Sequence, residues 1–549
     1  MYLPKGRRRL IAGSVALAML AAGCSADNED SPTDPSEDGA FQITESLPPA
    51  SGPVESVTWT VSSEPDQLDP ARRARNIPSE TVRAAICESL WRITPDRKLE
   101  PALAVSVDSP DPTTFVYQLR EGVRFNDGTE MTADDVVASL SRHLDPEVGS
   151  VVADAFKNVE SIEATGPLEV TVTLSKPDYL FNQQMAGEAG RVESAAFLHE
   201  AGADYGSPDF GLNCTGPFKF EHWEVGNSIT LVRNDDYWDD DNPPLAERFT
   251  FIFPTDGSAR INALVAGEID GGYNVPEGAS RTLLAADSGN LYFGPGTQAY
   301  SMIANQSGIL GDIRVRRAIS LALDRQGAIT AGFDGFGSVA RVPIGQYAWA
   351  ALGLDRAEEI YQSLPDTAVR DVEQARELIA EAGVEGSEIV IAYTPQVPQM
   401  VALANATFAA VEEIGLVPVM LEMERPDFSR LTASPTAKDE AGVDLWPIAL
   451  RQPLADPLET FSIWHTDSVY NHGDYSNPGY DALVEQALAE PDDQARAELT
   501  VEMAEIIAED LPWIPISVTA YTLFLNNRLA GAPATIEGLG PWAGRIGTA

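Results

Sequence analysis

Phe115-Val116-Tyr117-Gln118-Leu119-Arg120-Glu121-Gly122-Val123-Arg124-Phe125-Asn126-Asp127-Gly128, followed closely by Thr132-Ala133-Asp134-Asp135-Val136, is the stretch on which the fold turns. From Thr114 to Leu119 apolar and polar residues alternate, the period of a half-buried strand. Gly122 and the Asp127-Gly128 pair suit tight turns. Thr132 stands where a helix N-cap is expected, with Asp134 and Asp135 in the first turn and Val136, Val137 and Leu140 on the buried side. Outward from this unit the two periods keep intermixing. Val57–Val61, Glu169–Leu174 and Ser228–Val232 read as strands. Ser79–Trp91, Arg314–Asp324, Val372–Ala382, Tyr480–Ala489 and Gln494–Glu509 read as helices. The expectation is an α/β fold, and 549 residues exceed one compact core, so more than one lobe is predicted.

Three further segments follow in order. The first is Thr215-Gly216-Pro217-Phe218-Lys219-Phe220 with Arg233-Asn234-Asp235-Asp236-Tyr237-Trp238. Next comes Asp312-Ile313-Arg314-Val315-Arg316-Arg317-Ala318-Ile319, ending Ala322-Leu323-Asp324-Arg325. The last is Tyr475-Ser476-Asn477-Pro478-Gly479-Tyr480-Asp481 with Leu511-Pro512-Trp513-Ile514-Pro515-Ile516. Together the four segments resemble the family 5 extracellular solute-binding proteins of ABC importers, the oligopeptide and dipeptide binders. The resemblance implies a bilobal periplasmic-binding-protein-like fold. Its first lobe would be discontinuous, 54–297 plus 515–549, and its second would be 298–514. A ligand would lie between the lobes, and hinge closure would present it to a permease.

The N-terminus points to export. Lys5 to Arg9 is basic and Leu10 to Ala22 is apolar, about 13 residues, too short to span a bilayer. Leu20-Ala21-Ala22-Gly23-Cys24 resembles a lipobox, with Ala21 in place of the usual Leu. The expectation is a signal peptide over 1–23, lipidation of Cys24, and a disordered tether over 24–53 holding the body at the outer face of the membrane. The arginines before Leu10-Ile11 also resemble a twin-arginine signal, so the export route stays open. No later segment reads as a membrane span.

Charge excludes other roles. Lys and Arg number 37 against 83 Asp and Glu, a formal charge of −46, which repels nucleic acid and anionic lipid. No Gly-x-Ser-x-Gly, His-Glu-x-x-His or phosphate loop is present, so no enzyme, catalytic residue or cofactor is expected. His465 and His472 lack metal-ligand spacing, and Asp235–Asn242 lacks an EF-hand pattern, so no metal is expected either. Cys87 and Cys214 could be one disulfide or two buried thiols; an oxidising compartment favours the disulfide. A monomer is expected.

For the ligand, the resemblance points to Asp444–Pro457 as the stretch an extended peptide pairs with, including Trp446, Ala449, Leu450 and Arg451. The acid that holds a peptide's amino group in relatives falls at Pro453, with Asp456 the nearby substitute. In the first lobe the ligand-lining loop would start at Asp69-Pro70 and carry Arg72, Arg73, Arg75, Asn76 and Ile77. These arginines with Arg451 suggest a carboxylate-rich ligand, since guanidinium forks grip carboxylates; otherwise they balance surface acids. Trp446 and Trp464 are core residues or ligand platforms. A peptide is the leading ligand. A metal chelate, a glycan or a glycolipid precursor is the alternative, as is an envelope scaffold that has lost transport.

Overall fold

A computed structural model of the chain describes residues 42–72, 77–276, 278–535 and 540–549. The signal segment, Cys24, Arg73, Arg75 and Asn76 lie outside the described residues.

The opening unit forms as its sequence predicts. Thr114–Leu119 is a strand whose Phe115, Tyr117 and Leu119 are buried. Ala133–Ser141 is a helix closed at its start by a capping box: Asp135 Oδ2 accepts from the Thr132 backbone N–H at 2.9 Å. Gly122 and Gly128 both adopt positive φ, which the two turns require. The strand lies in a four-stranded antiparallel sheet of Ala104–Asp111, Thr114–Leu119, Glu169–Leu174 and Val159–Gly166.

Two larger sheets divide the rest. The first is seven-stranded, in the order Gly289–Gly294, Tyr521–Asn526, Gly271–Tyr273, Val54–Thr60, Ala246–Ile252, Ser228–Arg233, Phe218–Glu224. The second is six-stranded, in the order Ser338–Val339, Trp513–Val518, Ala299–Ala304, Leu445–Leu450, Glu388–Tyr393, Val417–Glu422. The chain passes from the first to the second between Gly294 and Ala299 and returns between Val518 and Tyr521. The expected return at 514/515 would cut the strand Trp513–Val518; the border lies after that strand.

Side-chain alternation puts the second sheet between two helical layers. Met302, Ala304, Leu445, Ile514 and Ile516 face one core, packed with Ile313–Ala322, Val372–Ala382 and Pro398–Glu413. Ile303, Trp446 and Trp513 face the other, packed with Pro478–Leu488 and Asp493–Asp510. Ile93 and Leu180 of the first lobe are buried in this second core.

Two further expectations are corrected. The helix expected over Ser79–Trp91 runs only from Ile77 to Arg83, and Trp91–Ile93 is a strand. A disulfide joins Cys87 to Cys214, and the backbone on both sides is drawn into pairing, with Gly216 N donating to Ile86 O at 2.8 Å and Phe218 N to Ala85 O at 3.3 Å. A helix continued through Cys87 could not make these bonds. The tether expected to reach residue 53 is docked over its last part. Thr44 N donates to Phe293 O at 2.7 Å, Ser51 N donates to Thr548 O at 2.8 Å, and Leu47 packs on the first core. The segment near Ile43 thereby covers the edge strand of the seven-stranded sheet.

The family-like segments act as rivets. Glu88, buried beside the disulfide, accepts from Thr215 Oγ1 at 2.9 Å, Tyr237 Oη at 2.7 Å and Trp238 Nε1 at 2.7 Å. Burial pushes its carboxyl up to about 7 against these donors. Arg316 donates to the carbonyls of Leu310, Asp510 and Leu511, and Arg325 to those of Ser320 and Pro515.

Candidate functional site

A cleft of about 530 Å³ opens between the two lobes. One wall is built by the segments that enter and leave the four-stranded sheet, including Asn158, Asp178 and Phe181. The other is the second lobe, including Ile448, Ala449, Leu450, Arg451 and Pro453, with Trp513 also lining the space. Its volume lies within the range of small-ligand sites, roughly 300–1,000 Å³.

The strand Leu445–Leu450 has two unlike edges. Along one it pairs fully, antiparallel, with Ala299–Ala304. On the other, pairing with Glu388–Tyr393 is confined to Ile391 opposite Leu445. Among the described residues, Trp446–Leu450 has no strand beyond that point. Pro447 has no N–H to offer, so the other residues of this edge provide the donors.

The segment after this strand is held across the lobes. Arg451 Nη2 donates to both carboxylate oxygens of Glu80, at 2.8 and 2.6 Å. Arg97, at φ 59° in the turn between Trp91–Ile93 and Leu99–Pro101, donates to Gln452 O at 3.0 Å and to Leu454 O. Tyr179 N donates to Leu488 O at 2.9 Å.

The candidate residues part ways here. Ala449, Leu450 and Arg451 line the cleft. Asp456 does not: it is buried in the second lobe, its Oδ2 2.5 Å from Arg496 Nε and its Oδ1 accepting from Leu458 N at 2.9 Å. Both oxygens of this carboxylate are engaged, and its burial away from the cleft wall keeps a ligand amine from reaching it. Trp446 and Trp464 are fully buried and are core residues, as strand alternation dictates for Trp446. Trp464 packs edge-on against Trp513, the indole that does line the cleft. Arg72 is absent from the cleft wall; it donates to Ala203 O at 3.2 Å and lies 3.8 Å from Asp69. Asp69 itself is buried under Arg142, 2.6 Å away. Ile77 packs on the first core. The arginines among the described residues therefore already face acids of the protein.

Sequence reasoning missed Asp178, Asn158 and Trp513. Asp178 and Asn158 carry no local signal, because strand pairing sets their meeting. Trp513 sits in a quoted segment but its exposure to the cleft depends on strand phase. His465 and His472 both line the cleft. Burial and the nearby Lys438 hold the His472 imidazole down at about 4, so it is neutral at physiological pH. Among the described residues no cluster of three or more His, Cys, Asp or Glu could hold a metal.

Comparison with known proteins agrees with this architecture. The family described as "Bacterial extracellular solute-binding proteins, family 5 Middle" matches residues 98–471. The glutathione-binding protein GsiB of Salmonella paratyphi A is 26% identical over 484 residues, covering 86% of this chain and 91% of that protein. Among solved structures, the ABC-transporter substrate-binding protein CtaP of Listeria monocytogenes superposes with a TM-score of 0.76 at 23% identity, covering 90% of this chain and 99% of that one. DppA of Helicobacter pylori, in complex with a peptide, superposes with a TM-score of 0.75 at 21% identity, covering 90% and 98%. With the family matched across most of its length, and the bilobal fold and interlobe cleft in place, the chain belongs to family 5 of the bacterial extracellular solute-binding proteins.

Proposed function

We propose that the solute this receptor captures for its ABC importer is a short peptide, bound extended along the open edge of Trp446–Leu450. The observation that carries the reading is that edge. A strand with one row of backbone groups facing a cleft recognises another backbone, whatever its side chains. Cleft volume limits the guest to a few residues. The names of the relatives are in keeping: GsiB is a glutathione-binding protein and DppA was solved with a peptide. A carboxylate-rich ligand gripped by arginines has less support, because Glu80 and Asp69 already answer Arg451 and Arg72.

Calorimetry tests this with a free tripeptide and with its analogue in which one of the two peptide amides is an ester. The ester lacks one backbone N–H and should bind about two- to ten-fold more weakly, the worth of one neutral hydrogen bond. Binding of a metal–histidine chelate or a glycan, with no binding of linear peptides, would overturn the proposal.

Anchoring through Cys24 completes the reading and rests on the basic-apolar-lipobox order of residues 5–24. Cys24→Ala should move the protein from the membrane fraction to the soluble fraction. Unchanged membrane retention would remove the anchor.

A further inference from the structure

The cleft wall opposite the open strand carries one carboxylate that the scaffold leaves half used. Asp178 lies between the strand Glu169–Leu174 and the short helix Leu180–Gln184, and it lines the cleft. Its Oδ2 accepts from Asn158 Nδ2 at 3.0 Å. Its Oδ1 is buried and has no hydrogen-bond partner among the described residues.

The other acids of the cleft differ. Asp154 is held by Lys157 at 3.2 Å. Glu485 is shared by Lys176 at 3.4 Å and His465 at 3.7 Å. Glu459 accepts the Leu454 N–H at 2.9 Å. Asp467 is exposed to water. Lys157, next to Asn158, and Lys176, two residues before Asp178, also line the cleft, yet their ammonium groups pair with Asp154 and Glu485. Asp178 is thus a half-buried acid of the site whose charge is helped by neutral donors, the Asn158 amide and the Phe181 N–H, and by the fields of Lys157 and Lys176, with no direct ion pair among the described residues.

A buried carboxylate with an unused oxygen is costly unless a donor, best a cation, meets it. Burial accordingly raises its pKa. Across the cleft the open strand supplies backbone groups, and Asp456, which follows it in the chain, is sealed against Arg496.

We infer that Asp178, on the first-lobe side, receives the positively charged amino terminus of the peptide, with Asn158 holding the carboxylate in place. Binding the ammonium from this wall joins ligand to both lobes, since the peptide backbone is held by the other. It also sets the direction in which the peptide lies. This assignment rests on the peptide reading above, and it adds a charge requirement that backbone pairing alone does not impose.

The test pairs one tripeptide with its N-acetyl form, titrated into the wild-type protein and into Asp178→Asn. Asparagine keeps the shape of the side chain and leaves the Asn158 contact possible. In the wild type, acetylation should weaken binding about ten- to a hundred-fold, the worth of a charge-assisted hydrogen bond. In Asp178→Asn the free peptide should weaken by a similar factor and the acetylation penalty should vanish, as a double-mutant cycle requires. Asp178→Glu keeps the charge and should keep the penalty, which guards against a variant that is merely misfolded. Asp154→Asn and Asp467→Asn should leave the penalty intact. If the wild type binds both forms equally, or if the penalty survives in Asp178→Asn, the assignment is wrong while the peptide reading stands. If the wild type binds neither form, the peptide reading fails and the assignment fails with it.

Discussion

Arg451 and Asp456 sit at the two ends of one short segment, and each is half of an arginine–carboxylate pair. The Arg496–Asp456 pair is sealed inside the second lobe, with side chains 1% and 3% exposed. The Arg451–Glu80 pair joins the two lobes at the cleft, with side chains 21% and 19% exposed. Geometry at the nitrogen is similar in both, with shortest contacts of 2.5 and 2.6 Å. What differs is what each pair costs to break. A sealed pair cannot be replaced by water, so losing one partner strands a charge in the core. A pair at a cleft mouth exchanges its partner for solvent, so it can open and close with the lobes. The first is a rivet of one lobe and the second a contact between the lobes at the cleft.

The comparison breaks first at Asp456. Asp456→Ala should destabilise the protein by about 3 kcal/mol, at the lower end for a broken buried pair because Asp493 and the Glu490 carbonyl still hold Arg496. Chemical denaturation reads this directly. A variant of unchanged stability that no longer binds peptide would make Asp456 a ligand residue after all. Glu80→Gln should do much less to stability, about 1 kcal/mol or under, yet weaken ligand binding a few-fold by disfavouring the closed form. Small-angle scattering should show a larger population of open molecules. The exchange Glu80→Arg with Arg451→Glu should restore closure if the pair acts through its charges. Equal loss of stability in Asp456→Ala and Glu80→Gln would show that the two pairs are energetically alike.

Much of the scaffold was legible because its signals are local. Thr132 and Asp135 make a capping box within a single turn, and Gly122 and Gly128 hold positive φ in the turns that their spacing announced. The four family-like segments proved to be where distant parts of the chain are fastened, as at Glu88 and Arg316. Such knots constrain residue type strongly, so they read clearly. The helix through Cys87 misled because its apolar spacing was helical while the bond to Cys214 and the pairing of Ile86 with Gly216 were not visible locally. Tertiary pairing overrode propensity there.

The cleft was legible only in part. Ala449, Leu450 and Arg451 could be placed from the strand that carries them. Asp456 and Trp464 could not, since an acid or indole in sequence reads alike whether it faces a ligand, an arginine or another ring. The sequence alone determined the α/β class and the order of the rivets, because each depends on period, spacing or neighbouring residue types. Tertiary structure alone decided which carboxylates are used up. Asp178 and Asp456 are the same residue type. Asp456 has an arginine brought to it by a helix from elsewhere in the chain, and Asp178 has the neutral Asn158 amide and an oxygen with no hydrogen-bond partner among the described residues. Partnership across long sequence distance is set by packing, and packing is what local sequence cannot express.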